Sequence, residues 1–366
     1  MSQSRRRRVC ALLALALVPA LAACSAAGSS PSASPRSPSS APSGSAGDAA
    51  GSPAPSPSGT LTIYSGRSEA LVGPLIERFE TESGIDVRVN YAGTSELAAT
   101  ILEEGDASPA DVYFSQDGGA LGALAEEGRL AVLPQSTLDR VDPRFRSADG
   151  VWVGVSGRAR VVAYDSRALS EADLPDSILD FTDPAWKGKI GWAPSNASLQ
   201  TFVTALRVLE GDAAARAWLE GIQANEPRVY EGNSQALEGV ASGEVEVAFI
   251  NHYYLLEAIA EQGEDLPVRN HFLPGGDPGS LVNVAGAAIL TTSGNPDAAL
   301  AFVEYLLSDE SQIYFAEETF EYPLVDGIPA DDRLIPLDEI ESADLDLSDL
   351  SDLQGTLELM QEAGVL

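Results

Sequence analysis

Cysteine and histidine are almost absent from this sequence. Its 366 residues include two cysteines, Cys10 and Cys24, and two histidines, His252 and His271. Cys10 falls within the N-terminal export signal described below, so the mature chain is expected to have no disulfide and no thiolate metal site. A zinc or manganese site normally takes several imidazoles, and two histidines argue against those metals.

Sequence signatures of catalysis and of membrane insertion are also missing. The chain has neither a nucleophile elbow nor a glycine-rich phosphate loop. Beyond the first twenty or so residues, no stretch is apolar enough to span a bilayer. We therefore expect a protein that is not an enzyme. A tethered extracellular hydrolase or transferase is a third interpretation, which would need a base such as His252 or His271.

Positive charge is scarce relative to negative charge. The chain has 22 Lys and Arg residues against 55 Asp and Glu residues, a formal net charge of −33. Removing the four arginines at positions 5–8 leaves 18 basic residues against 55 acidic ones, a net charge of −37. This balance argues against nucleic acid and anionic lipid as partners and suits a cation. Solubility at an exposed cell surface is the alternative, and it explains most of the negative charge because the carboxylates are spread along the chain.

The N-terminus has the pattern of a bacterial export signal. Basic residues 5–8 precede an apolar run at 9–23, and the sequence LAAC at 21–24 resembles a lipobox. We expect a signal peptide at 1–23, cleavage before Cys24 and a lipid on its sulfur. An ordinary signal peptide with an incidental cysteine is the alternative, and a twin-arginine signal is possible. Residues 25–58 are almost entirely Ser, Ala, Pro and Gly, which predicts a tether that cannot fold alone.

The remaining chain is long enough for two lobes and alternates strand and helix patterns. Strands are predicted near 61–64, 85–89, 110–114, 161–164, 190–192, 245–250 and 282–290, with helices between most of them. Such alternation indicates an α/β fold with mixed, mostly parallel sheets flanked by helices. The central strand at 161–164 would carry the chain into the second lobe, and the strand at 282–290 would return it.

Two adjacent tyrosines, Tyr253 and Tyr254, follow the apolar strand near 245–250. Ligands in open α/β sheets bind beyond the carboxyl ends of strands. Phenolate is a hard anionic donor, but a free tyrosine has a pKa of roughly 10, so only a highly charged cation such as ferric iron readily displaces its proton. Core or lid packing is the alternative, and from spacing alone it is the commoner role of such a pair.

From residue 61 onward the chain resembles the ferric-ion-binding proteins of bacterial iron ABC importers. Six stretches carry the resemblance in order: LTIYSG at 61–66, SPADV at 108–112, SGRARVVAYD at 156–165, WKGKIG at 186–191, INHYY at 250–254 and EYPL at 321–324. The resemblance implies a two-lobed type II periplasmic-binding-protein fold with a ligand cleft between the lobes. The N-lobe would comprise 59–158 and 284–333, and the C-lobe 159–283 and 334–366.

The resemblance also implies a ligand set. Tyr253 and Tyr254 would bind Fe(3+), the transported ligand, with carbonate or phosphate as a synergistic anion. The anion pocket would comprise Arg158, Asn196, Ala197, Ser198, Asn233 and Asn251. A plain helix cap is the alternative role of Ser195 or Asn196. A guanidinium fork such as that of Arg158 suits a small planar anion.

The sequence departs from the family at other expected metal ligands. Where some members have a histidine, this sequence has Ser68. Where some have a glutamate, it has Gln116 with Asp117 beside it, and where others have a third tyrosine, it has Leu199. We expect the remaining positions to be filled by anion, water, or a carboxylate such as Glu69 or Asp117. His252 replaces a common asparagine and is expected to face away from the site.

The resemblance further implies a binding protein that delivers iron to an ABC permease. The protein would be a monomer anchored by lipidated Cys24 to the outer face of the cytoplasmic membrane, and it would take ferric iron free or as a chelate. A protein of the same fold for a small organic or phosphate-type ligand, such as thiamine, a polyamine or a phosphonate, is the second interpretation. That ligand would use Arg158, Asn196, Ser198 and Asn233.

Overall fold

The computed structural model describes residues 59–366. The predicted signal peptide, Cys24 and the tether at 24–58 lie outside these residues. Within the described part, none of the helices is long and apolar enough to cross a bilayer.

Ten strands form a single connected sheet across residues 59–366. They are β1 (Thr60–Ser65), β2 (Asp86–Tyr91), β3 (Val112–Ser115), β4 (Val153–Asp165), β5 (Ile190–Trp192), β6 (Arg228–Val229), β7 (Val247–Asn251), β8 (Val268–His271), β9 (Val282–Ile289) and β10 (Tyr322–Pro323). Their order is β2-β1-β3-β9-β4-β7-β5-β6, and β8 and β10 also pair with β4. The predicted strands are confirmed, and β4 is much longer than the apolar run at 161–164.

The helices alternate with these strands. They are α1 (Glu69–Ser83), α2 (Thr94–Glu104), α3 (Gly118–Glu126), α4 (Gln135–Leu138), α5 (Ala197–Glu210), α6 (Asp212–Ala224), α7 (Asn233–Ser242), α8 (Tyr253–Gln262), α9 (Pro296–Leu306), α10 (Asp309–Glu317) and α11 (Leu353–Glu362). Each longer helix buries one face, as Val72, Leu75, Ile76 and Phe79 do in α1. The α/β class is therefore confirmed.

The sheet is mixed because two long strands run against the others. β1 pairs in parallel with β2 and β3, and β5 pairs in parallel with β6 and β7. β9 is antiparallel to β3 and β4, and β4 is antiparallel to β7, β8 and β10. Pairing is thus parallel among β1, β2 and β3 and among β5, β6 and β7. Every antiparallel pair among the ten strands involves β4 or β9.

Strand β4 joins the two halves of the sheet. Residues 153–159 of β4 pair with β9, whereas residues 160–164 pair with β7. One core cluster covers the half that contains β1, β2, β3 and β9, and two others lie with the half that contains β5 and β7. Ile340, Leu347 and Leu350 belong to the first cluster, and Leu359 and Met360 to the second. The C-terminal segment therefore packs on both halves.

Candidate metal centre

The two tyrosines lie at the carboxyl end of β7, where α8 begins. All five residues of β7 are buried, which fixes the position of the turn that follows. The side chain of Tyr253 is 4% exposed, and its ring stacks on that of Tyr254 with centroids 4.3 Å apart and an angle of 28° between the planes. Both phenols line one cavity. The junction predicted from the sequence therefore borders a cavity as well as the core.

The cavity has a volume of about 70 Å³. Pockets that enclose drug-sized ligands have about 300 Å³ or more, so this cavity suits an ion with a few small ligands. It is lined by Gln116, Asp117, Arg158, Arg160, Asn196, Ala197, Ser198, Thr201, Asn251, Tyr253, Tyr254, Leu281 and Asn283.

Most residues predicted for the site line this cavity. Of the predicted residues outside its lining, Asn233 is tied to it through Ser198, because its amide nitrogen lies 3.0 Å from the Ser198 hydroxyl oxygen. Ser68 and Glu69 are exposed at the start of α1 and do not line it. The structure therefore brings Gln116 and Asp117, but not Ser68 or Glu69, to the tyrosine pair.

A cluster of amide and hydroxyl groups forms one wall. The side-chain oxygen of Asn196 accepts hydrogen bonds from the backbone N–H of Ser198 at 2.9 Å and from its hydroxyl at 2.6 Å. Asn196 thus caps α5, as the helix-cap interpretation anticipated, while it also lines the cavity. The side-chain oxygen of Asn233 is buried without a hydrogen-bond partner. Helix α5 begins at this wall, and the partial positive charge at the N-terminal end of a helix favours an anion there.

Arg160 is a site residue that the sequence interpretation missed. Its guanidinium donates to the Ser198 hydroxyl at 3.1 Å and to the Asn251 side-chain oxygen at 3.3 Å. Burial lowers the pKa of Arg160 to about 10, which leaves it charged at neutral pH. Side chains alternate along a strand, so Ser156, Arg158 and Arg160 of β4 share one face. The spacing S-G-R-A-R at 156–160 was the signal that could have identified it.

A buried ion pair lies beneath the tyrosines. Arg67 donates two hydrogen bonds to Glu321, at 2.8 and 2.9 Å, and both side chains are fully buried. The Ser156 hydroxyl donates to the same carboxylate at 2.6 Å, and the Nε of Arg158 lies 3.9 Å from it. Burial alone would raise the pKa of Glu321, but Arg67 and Arg158 hold it below its usual range. Glu321 is therefore the anchor that orders two arginines.

Asp117 supplies the carboxylate in the cavity wall. It caps α3 by accepting from the backbone N–H of Ala120 at 3.0 Å, which leaves its other oxygen free of that bond. Burial raises the pKa of Asp117, although the Ala120 N–H and Arg158 work in the opposite direction. Gln116, the neighbouring residue, is half-buried. A carboxylate thus faces the phenols from the β3–α3 turn.

His252 faces away from the cavity, as expected. Its Nδ1 accepts from the backbone N–H of Ala159 at 3.1 Å, and its Nε2 lies 2.9 Å from the carbonyl oxygen of Phe320 and donates to it. Burial lowers the pKa of His252 to about 4, so the ring is neutral at pH 7. With both nitrogens engaged by backbone, His252 holds β4, α8 and the segment before β10 together.

The charges around the cavity favour bound anions. Three guanidiniums, those of Arg67, Arg158 and Arg160, and two carboxylates, those of Glu321 and Asp117, are buried at or beside the cavity. Burial and the neighbouring Tyr254 raise the pKa of Tyr253 well above its ordinary value. A buried phenol therefore gives up its proton only to a strongly charged cation, and the arginines then help to stabilise the phenolate. Residues 59–366 contain no cluster of three or more His, Cys, Asp or Glu side chains that could hold a metal.

Comparison with known proteins agrees with this geometry. Residues 74–338 match the model of the bacterial extracellular solute-binding protein family. The major ferric iron-binding protein of Neisseria meningitidis is 36% identical over 308 residues, which are 83% of this chain and 93% of the relative.

Two solved structures share the fold over the same region. Iron-bound HitA from Pseudomonas aeruginosa has a TM-score of 0.79 and 37% identity, covering 83% of this chain and 99% of its own. A Trichodesmium protein, IdiA or FutA, in complex with iron and citrate has a TM-score of 0.73 and 29% identity, covering 84% of this chain and 100% of its own. These likenesses confirm the periplasmic-binding-protein fold. The chain therefore belongs to the bacterial extracellular solute-binding protein family, and its relatives there include the major ferric iron-binding protein of Neisseria meningitidis.

Proposed function

We propose that this protein captures ferric iron through the phenolates of Tyr253 and Tyr254. The observation that carries the proposal is the stacked, buried tyrosine pair in a cavity of about 70 Å³ beside buried arginines. The relatives named for ferric iron support the same cargo. The protein performs no chemistry on the ion: two phenolates neutralise two of its three charges and hold it until delivery.

A synergistic anion, carbonate or phosphate, completes the coordination. Its pocket comprises Arg158, Asn196, Ala197, Ser198, Asn233 and Asn251, and we include Arg160, which lines the same cavity. The Nε of Arg158 is buried without a hydrogen-bond partner, and a fixed guanidinium suits a planar oxyanion. The citrate in the Trichodesmium complex is an example of an oxyanion accompanying iron in this fold.

Asp117 is our candidate for a further ligand from the opposite side of the cavity. Its carboxylate lines the cavity, whereas that of Glu69 is exposed on α1 and does not. Gln116 and water fill further positions. Ferric iron prefers hard oxygen donors, and a carboxylate adds a third negative charge to the two phenolates.

The protein works at the outer face of the cytoplasmic membrane and passes iron to an ABC permease. Cys24 carries the lipid, the tether at 24–58 spans the distance to the membrane, and the monomer closes two lobes over the cleft. The N-lobe comprises 59–158 and 284–333, and the C-lobe 159–283 and 334–366, although Ile340, Leu347 and Leu350 of the last segment pack on the N-lobe core. The switch of β4 from β9 to β7 near residue 160 supports this boundary.

The rival interpretations find less support. The cavity that the tyrosines line has about 70 Å³ and cannot by itself enclose thiamine or a polyamine. His252, the base that an enzyme would need near the tyrosines, has both ring nitrogens engaged with backbone groups away from the cavity.

The test is ferric affinity, measured by competition with citrate in bicarbonate buffer. Replacing both tyrosines, in the double variant Tyr253→Phe, Tyr254→Phe, should weaken ferric binding by more than about 100-fold. Loss of a residue that only supports a metal ligand costs up to about 100-fold, and loss of two ligands should cost more. The matched control is Tyr305→Phe, because the buried Tyr305 hydroxyl has no hydrogen-bond partner and its loss leaves the cavity intact. Unchanged affinity in the folded double variant would refute the proposal.

A further inference from the structure

A second opening adjoins the metal cavity and differs from it in chemistry. It is a groove of about 420 Å³ between α2, α3, α5 and the C-terminal segment. We call it the apolar groove; its walls include Ala99, Leu102, Ala123, Leu350, Leu353 and Leu357. Its volume falls in the range of about 300 to 1,000 Å³ that is typical of organic-ligand pockets.

The groove is unusually poor in charge for this molecule. Asp117 is the one ionisable side chain among its lining residues, although 21% of the chain is charged. Leu102 on its edge is 36% exposed and is one of six exposed large hydrophobic side chains among residues 59–366. Alanine and leucine at the walls, with no lysine or arginine, suit an alkyl or aryl group.

The groove and the metal cavity share a wall. Asp117, Ala197 and Thr201 line both openings. The metal cavity itself has room only for an ion and a few ligand atoms. A larger anion bound to the metal must therefore extend out of the cavity, and the adjoining groove provides apolar surface for its extension.

We propose that the apolar groove binds the hydrocarbon part of an organic oxyanion whose oxygens coordinate the captured iron. The cargo class is thus a ferric complex of an amphipathic carboxylate, with its polar end at Arg158 and Arg160 and its alkyl or aryl end among the leucines. This inference rests on the proposed function, because the iron joins the ligand to the protein. Burial of the apolar end supplies affinity that carbonate or phosphate cannot supply.

The test compares two anions with the same iron-binding group. Ferric binding to the chain from residue 59 onward is followed by its phenolate charge-transfer band with malonate or with butylmalonate as the anion. The butyl chain should tighten ferric binding at least about tenfold, since each buried methylene contributes several-fold. Ala99→Trp, which fills the groove, should remove most of that advantage and leave malonate-supported binding unchanged.

The matched control is Ala213→Trp, the same substitution at an exposed alanine of α6 that does not line the groove. This variant should keep the full preference for butylmalonate. Equal binding with the two anions in the unmodified protein, or a preference that survives in Ala99→Trp, would overturn the inference and leave iron capture intact. Absence of the band with carbonate and with both malonates would instead overturn iron capture and this inference together.

Discussion

Individual side chains around the tyrosines divide into those that line the cavity and those that hold other side chains in place. Tyr253, Tyr254 and Asp117 present oxygen atoms to the cavity. Glu321 does not line it, yet its carboxylate binds Arg67 and Ser156 and lies near Arg158. At this scale a buried ion pair outside the cavity lies beside Arg158, which lines the cavity.

Removing the charge of Glu321 should destabilise the protein strongly. Glu321→Gln leaves the buried Arg67 guanidinium without its counter-charge, and breaking a buried pair in this way costs about 3 to 5 kcal/mol. Urea unfolding measures the loss. The control is Glu310→Gln. Glu310 lies 3.7 Å from Arg78 in an ion pair whose side chains are both half exposed, so this substitution should cost about 1 kcal/mol or less. Similar losses in the two variants would contradict this account of Glu321.

His252 should make the stability of the iron-free protein depend on pH. Its folded pKa of about 4 lies below the ordinary value of 6.5, so between these pH values the unfolded chain binds a proton that the folded chain does not. The stability that His252 contributes is complete above pH 6.5 and is lost as the pH falls toward 4. His252→Gln should therefore cost more free energy of unfolding at pH 7.5 than at pH 5. Equal costs at the two pH values would show that burial does not keep the ring neutral.

Among the elements, α3 shows how closely the C-terminal segment is fitted. Gly119 and Gly122 of α3 pack directly against the backbone of Leu350 and Ser348, and a Cβ at either glycine would overlap a carbonyl oxygen. Ser351 also donates to Glu126 at 2.6 Å. After Ser351 the C-terminal segment continues into α11, which packs on α5. The C-terminal segment thus connects α3, which Asp117 caps, with α5, which Asn196 caps.

Adding a methyl group to this contact should be costly. Gly122→Ala forces α3 and residue 348 apart, and such overpacking costs about 1 to 3 kcal/mol by urea unfolding. Gly73→Ala is the control, because its added Cβ would lie 3.5 Å from the nearest atom inside α1, and alanine favours a helix. A Gly122→Ala variant as stable as Gly73→Ala would show that the segment is loosely attached.

The elements also show what the sequence alone could predict. Periodicity located β1, α1, β2, α2, β7 and α8, because their apolar residues repeat at strand or helix spacing. It did not locate α3, since the three glycines among its first five residues resemble a loop until the C-terminal segment packs on them. Arg67 and Glu321 lie 254 positions apart, so only the folded chain brings them together. The tyrosine pair could be singled out from the sequence because its two members are adjacent, and the structure places both at one cavity.

The whole molecule combines an acidic binding domain with an N-terminus outside the described residues. We expect Cys24 to hold the protein at the membrane. Cys24→Ser should abolish lipid attachment and move the expressed protein from the membrane fraction to the soluble exported fraction. Fractionation followed by immunoblotting measures the distribution, with Cys10→Ser as the control that should stay membrane-bound. Retention of Cys24→Ser in the membrane would refute the lipid anchor.

The central claim is that two phenolates bind ferric iron, and the visible spectrum tests it most directly. The protein from residue 59 onward is titrated with ferric citrate in bicarbonate buffer. The account predicts a phenolate-to-iron charge-transfer band that saturates at one iron per protein and is absent in the Tyr253→Phe, Tyr254→Phe variant. A folded protein that shows no such band, or an undiminished band in the double variant, would contradict the account.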